Sequence, residues 1–118
     1  MSRFFCKEQD MKDLTFRQLQ DYLLEHYQQS RTEEGLFMKL VEEVGEVAEV
    51  FNGRSGRKEG VQDSNEELAK ELPDVIHYTV AIAAINRIDL TKTIFEKDKT
   101  AVIKYQHERD LEGFLENF

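Results

Sequence analysis

Between residue 1 and residue 118 there is a single proline, Pro73, and only six glycines, and the apolar residues between them recur three and four positions apart with no long strict alternation. Such spacing builds helices with one apolar face and offers nothing from which to pair strands, so the expected class is all-α. A chain of this length makes one domain, residues 1–118, with its core over about 15–105.

Four helices and one loop are expected. The first starts after Thr15, which with Gln18 makes a capping box, and runs through Phe16, Leu19, Tyr22, Leu23 and Tyr27. Ser30 and Glu33 make a second box, opening a helix to about Asn52 with Phe37, Leu40, Val41, Val44, Val47, Ala48 and Phe51 on one stripe. Gly53 is expected to end it. From Gly53 to Ser64 three glycines and the basic Arg54, Arg57 and Lys58 show no helical period and read as a loop. Ser64 with Glu67 restarts a helix to about Arg87, and after a turn at Asp89–Leu90 a fourth helix carries Ile94, Phe95, Ala101, Val102 and Tyr105. The segment 106–118 keeps Leu111, Phe114, Leu115 and Phe118 at roughly helical intervals, suited to packing on the bundle or on a neighbouring subunit.

Hydrophobic residues make up 40% of the chain, with eight Phe and four Tyr, enough for a core. Sixteen Lys and Arg against 24 Asp and Glu leave a net charge of −8, which opposes binding to nucleic acid or an anionic membrane and favours cations. The lone Cys6 excludes an internal disulfide and a cysteine zinc cluster and suits a reducing, cytoplasmic setting. Charged residues interrupt the N-terminus, and the longest uncharged apolar stretch, around Val75–Ile85, is far short of the roughly 18 to 20 residues that span a bilayer.

The chemically suggestive residues are carboxylates. Glu42, Glu43, Glu46 and Glu49 crowd the second helix. At about 100° per residue, with Val44 centred on the apolar stripe, Glu42, Glu46 and Glu49 fall on the far side, where solvated surface suffices, and Glu43 lies nearer the stripe's edge. The third helix differs: Glu71 falls about 40° from Val75, among Leu68, Leu72 and Ile82, and Asp74 about 100° away. A core-facing carboxylate needs a basic partner, a proton or a metal ion. If the two helices pack antiparallel, Glu43 with Glu46 faces Glu71 with Asp74, an oxygen-only set that suits Mg²⁺ or Mn²⁺ and not zinc.

The segments Lys39–Glu49, KLVEEVGEVAE, and Glu71–Tyr78, ELPDVIHY, resemble the MazG-like, all-α nucleoside triphosphate pyrophosphohydrolases, whose pattern is E-E-x-x-E, a loop, then E-x-x-D. The resemblance runs from about Phe16 to Tyr105. It implies Mg²⁺-dependent cleavage of a (deoxy)nucleoside triphosphate between the α and β phosphates, with Mn²⁺ as a possible substitute. It implies Glu43, Glu46, Glu71 and Asp74 as metal ligands. Glu42 is a candidate to orient or deprotonate water and equally a candidate for surface. Asp89–Leu90 and Lys97 resemble the family segment in which a lysine holds phosphates, and Arg54, Arg57 and Lys58 are further candidates to neutralise the triphosphate.

Two departures stand out. Pro73 sits inside E-x-x-D, where relatives carry a small residue, so a kink at Leu72 or a fresh helical start is expected. Ala101 replaces an Asn of the dCTP-cleaving relatives, which leaves base preference open. Among other groups, His77 is one turn past Asp74, a possible donor to a ligating carboxylate, and one of Phe16, Tyr22, Tyr27 or Phe37 could stack on a base. The apolar circumference of the third helix, from Ile76 to Ile85, exceeds what one small bundle covers, so a homodimer or homotetramer is expected, as the family also implies. The competing readings are a phosphoribosyl-ATP pyrophosphohydrolase and a non-enzymatic acidic helical interaction module.

Overall fold

The computed structural model describes residues 11–27, 32–54 and 64–117. Among them there are five helices and no strand. Helix α1, Phe16–His26, opens with the expected box: the Thr15 hydroxyl accepts from the Gln18 N–H at 3.1 Å and the Gln18 side chain accepts from the Thr15 N–H at 2.8 Å. Helix α2, Glu33–Arg54, is preceded by Thr32, whose hydroxyl accepts from the Gly35 N–H at 3.1 Å; Ser30, expected to cap it, lies outside the described residues. The helix passes through Gly53 and does not stop at Asn52. Arg54 explains the extension, since its Nε donates to Ser64 Oγ at 2.7 Å, its Nη2 donates to Asn65 Oδ1, and its guanidinium lies over the Phe51 ring. These bonds offset the cost of a helical glycine, about 1 kcal/mol.

Helix α3, Ser64–Ile85, is unbroken with Pro73 inside it, so the proline does not start a new segment. Lacking an N–H, it leaves the carbonyl of Ala69, an exposed residue, without its helical donor. Ser64 is already helical, and α3 ends at Ile85, before the expected Arg87. Arg87 takes a left-handed φ of 58°, and the Ile88 N–H reaches back to the Ala83 carbonyl at 2.9 Å, a Schellman closure. Helix α4, Leu90–Tyr105, is capped by Asp89 and closed in the same way by Gln106 at φ 56°. The segment left undecided by sequence forms a fifth helix, α5, Leu111–Leu115, capped by Asp110.

Helices α2 and α3 form an antiparallel hairpin, with Lys39 over the Tyr78 ring at one end and Arg54 on Ser64 at the other. Helix α1 packs on α3, joining Leu23 and Tyr27 to Leu36, Val80 and Ala81 in one buried cluster. It is anchored to the α3–α4 turn by Gln20, which donates to the Ile88 carbonyl at 2.5 Å and accepts from the Leu90 N–H at 3.0 Å, and by Arg17, which grips Asp89 at 3.0–3.3 Å. Helix α5 is latched to α4 by Asp98, which accepts from the Leu111 N–H, and by Lys99, paired with Asp110 and Glu112.

The inward face of α2 is the expected one only at Leu40 and Val47. Leu36, Leu40, Glu43, Val47 and Val50 turn toward the rest of the chain, while Phe37, Val41, Val44, Ala48 and Phe51 are exposed, Val44 to 50%. The two stripes lie side by side, about 100° apart around the helix. Glu43 is therefore in the middle of the α2–α3 seam and not at a stripe's edge. Among the described residues eight hydrophobic side chains are buried and fifteen large ones are exposed, several of the latter along α2. No described helix is long and apolar enough to cross a membrane.

Candidate metal centre

Glu71 and Asp74 stand one turn apart on α3, and the antiparallel register sets Glu43 of α2 against them. Glu43, Glu71 and Asp74 each present a carboxylate oxygen within 4.8 Å of the others, with Glu43 and Glu71 half-buried and Asp74 exposed. Burial pushes the Glu71 carboxyl above its ordinary 4.5, and the charges of Glu46, Glu43 and Asp74, in that order, push it further. Glu46 thus reaches the same charge cloud without joining the tight trio. No lysine or arginine pairs with Glu43, Glu71 or Asp74 among the described residues. Three converging carboxylates, all oxygen donors, partly open to solvent and with no ion pair among the described residues, fit a hard divalent cation that keeps waters and binds phosphate.

The other candidates are placed differently. Glu42 lies outside the trio, and its Oε2 accepts from Lys39 Nζ at 3.1 Å, which holds the Lys39 ammonium above its ordinary 10.5. Arg54 is occupied in fastening α2 to α3. Lys97 is exposed on α4, the helix that packs on α1 and α5. Arg57 and Lys58 lie outside the described residues.

One ring nitrogen of His77 is taken up on the side of α1. Its Nε2 shares a 2.6 Å hydrogen bond with the Tyr27 hydroxyl, and burial, followed by the charge of His26, pushes it below its ordinary 6.5 against the pull of Asp74. Tyr27 is buried and removed from the aromatic candidates for base stacking, whereas Phe16, Tyr22 and Phe37 are exposed. Lys39, which sequence reasoning passed over, stands between Glu42 and Tyr78; its i, i+3 spacing to Glu42 was the available signal.

Residues 31–109 match the model of the MazG nucleotide pyrophosphohydrolase domain. The chain belongs to this family. Residues 31–109 take in both halves of its acidic motif, so the Glu43–Glu71–Asp74 trio is built on MazG helices. Among solved structures, iMazG from Vibrio DAT 722 superposes with a TM-score of 0.56 at 32% identity, covering 81% of this chain and 100% of that one. The rat dCTP pyrophosphatase 1 is 35% identical over 83 residues, 67% of this chain and 49% of the rat protein. The bovine dCTP pyrophosphatase 1 is 30% identical over 105 residues, 86% of this chain and 62% of the bovine protein. The chain spans about half the length of the rat relative it matches.

Proposed function

We propose that this MazG chain hydrolyses a (deoxy)nucleoside triphosphate to monophosphate and pyrophosphate in a Mg²⁺-dependent reaction. The observation that carries the reading is the convergence of Glu43, Glu71 and Asp74 oxygens within 4.8 Å on two helices of the family motif. Glu43, Glu71 and Asp74 would hold the ion, and Glu46, on the preceding or following turn from its neighbours, would complete the set. When bound, the ion supplies neutralisation of the triphosphate's charge and polarisation of its P–O bonds.

The chain's own residues supply position and proton transfer. A water oxygen bonds to the α phosphorus, the bridging α–β P–O bond breaks, and its electron pair leaves on pyrophosphate. Glu42 is proposed to orient that water and take its proton, held in place by Lys39. Lys97, with Arg57 and Lys58, is proposed to contact phosphate oxygens. Arg54 would add charge only by giving up its bonds to Ser64 and Asn65.

We propose self-association as well, because Phe37, Val41, Val44 and Ala48 leave an exposed apolar stripe along α2. A cytoplasmic setting without membrane or nucleic-acid partners is proposed with it, since the net charge of −8 opposes binding to anionic surfaces.

The test is pyrophosphate release from a panel of nucleoside triphosphates with Mg²⁺, with dCTP first because the relatives are dCTP pyrophosphatases. Release of inorganic phosphate and a diphosphate, or no release from any member, contradicts the reading.

A further inference from the structure

His77 stands on α3 one turn beyond Asp74, half-buried, where the end of α1 meets the hairpin. Two rings flank it. Tyr27, the residue that closes α1, meets it edge-on with centroids 5.6 Å apart and planes at 82°, and Tyr78 does so at 4.8 Å and 70°. His26 lies edge-on against Tyr27 in turn, at 4.7 Å.

The Tyr27–His77 hydrogen bond has a direction. Its length of 2.6 Å falls within the range of O–H donors, about 2.5–3.0 Å, and below that of N–H donors, about 2.7–3.2 Å. The phenol therefore donates and Nε2 accepts. An imidazole with an ordinary pKa of about 6.5 is neutral at about pH 7.5, and burial pushes this one lower. A neutral ring whose Nε2 accepts carries its one proton on Nδ1, and that N–H is a second donor pointing away from Tyr27.

Asp74 is placed to receive it. Nδ1 is the ring nitrogen nearer the main chain, and helical side chains lean toward the N-terminus, which for His77 is the direction of Asp74. At i, i+3 the two Cβ atoms lie about 5–6 Å apart. Asp74 is also the carboxylate whose charge reaches the ring.

We propose that Tyr27 fixes His77 with its proton on Nδ1 and that this N–H is directed at the Asp74 carboxylate, which makes His77 a positioning residue for the trio of Glu43, Glu71 and Asp74. Asp74 is the exposed member of that trio. A donor on one of its oxygens restricts its rotamers and leaves the other oxygen for a cation. Helix α1, which brings no carboxylate to the trio, then takes part in the site through Tyr27.

The proposal rests on the metal reading of the trio, and the test separates the two. In the metal-free full chain, long-range proton–nitrogen spectra at about pH 7.5 should show His77 neutral with Nδ1 protonated. Tyr27→Phe should populate the Nε2–H form, and Asp74→Asn should move the Nδ1 resonance. A wild-type proton on Nε2, or an Nδ1 resonance unmoved in Asp74→Asn, overturns the proposal whether or not Mg²⁺ binds. Calorimetric titration with Mg²⁺, without nucleotide, supplies the second arm. His77→Gln, whose amide reaches the Nε2 position, should weaken Mg²⁺ at least about tenfold, whereas His77→Asn, whose amide occupies the Nδ1 position, should stay within about threefold of wild type. The opposite order, or equal affinities in wild type and His77→Gln, overturns the proposal. A wild type that binds no Mg²⁺ overturns the metal reading instead, and the spectra still decide whether His77 serves Asp74.

Discussion

Two polar constellations hold or load this molecule in opposite senses. At the corner where α1 meets the α3–α4 turn, Arg17, Gln20 and Asp89 satisfy one another: a guanidinium on a carboxylate, an amide on a carbonyl and an N–H, and the carboxylate capping α4. Along the α2–α3 seam, Glu43, Glu71 and Asp74 converge beside Glu46 with no ion pair to any of them among the described residues. The first arrangement stabilises the apo chain as it stands. The second costs stability through like-charge repulsion, which a bound cation would relieve. Like charges held in contact mark a candidate site, and this difference separates it from the scaffold more sharply than exposure does.

The largest expected effect exploits that difference. Mg²⁺ at about one hundred times its dissociation constant should stabilise the folded state by roughly 2.7 kcal/mol, which for a domain of this size raises the melting midpoint by several degrees. Asp74→Asn should show little of that shift, and Asp89→Asn should keep all of it. Equal shifts in wild type and Asp74→Asn would return the carboxylates to ordinary surface.

Next in size, Glu43→Gln, Glu71→Gln or Asp74→Asn should each cost at least about tenfold in pyrophosphate release while the fold is retained, because the apolar packing is untouched. The same variants, metal-free, should melt no lower than wild type, since each removes a repelling charge. On the scaffold side, Thr15→Ala removes the α1 cap and should cost about 1 kcal/mol in denaturant unfolding without changing metal binding. Gln106→Gly should do the reverse, relieving a left-handed residue and adding a few tenths of a kcal/mol, about the balance of lost strain and a floppier unfolded chain.

The smallest effect is in pH, and its sign distinguishes the two regions. Glu71 is raised above 4.5 when folded, so its contribution is present below that value and is lost as pH rises through the folded pKa. Asp89 is lowered below 3.8 by the Arg17 hydrogen bond, so its contribution is present above 3.8 and is lost as pH falls through the folded pKa. Metal-free protein melted across this range should therefore gain from Glu71→Gln toward neutral pH and lose from Asp89→Asn there. Both effects shrink in high salt, as exposed charges do.

Sequence alone reached the helices and the carboxylate cluster by different routes. Thr15 with Gln18 was readable because a capping box is local, and Glu71 was readable because its wheel position among Leu68 and Val75 left it no solvated face. The burial of α2 was misread for a physical reason. Phe37, Val41, Val44, Ala48 and Phe51 are as apolar as Leu36, Leu40, Val47 and Val50, and a helical wheel cannot tell a stripe buried by the same chain from one left outside. Centring on Val44 placed Glu43 at an edge when it lies in the seam. The end of α2 was misjudged because Gly53 is a local signal, whereas Arg54 reaching Ser64 and Asn65 is a tertiary one. Tyr27 on His77, fifty positions apart, left no trace in spacing at all.

The Gln20 clamp bears on how the chain folds. It closes on Ile88 and Leu90, 68 and 70 positions away, whereas the α2–α3 hairpin joins Arg54 to Ser64 across ten. Closing the longer loop costs more chain entropy, and nothing at that corner is gained until both sides are formed. The hairpin is thus expected to condense first and α1 to dock afterwards. In the native state α1 is the natural unit to open by itself, so under hydrogen exchange the Leu23 amide should lose protection at lower denaturant than that of Val80.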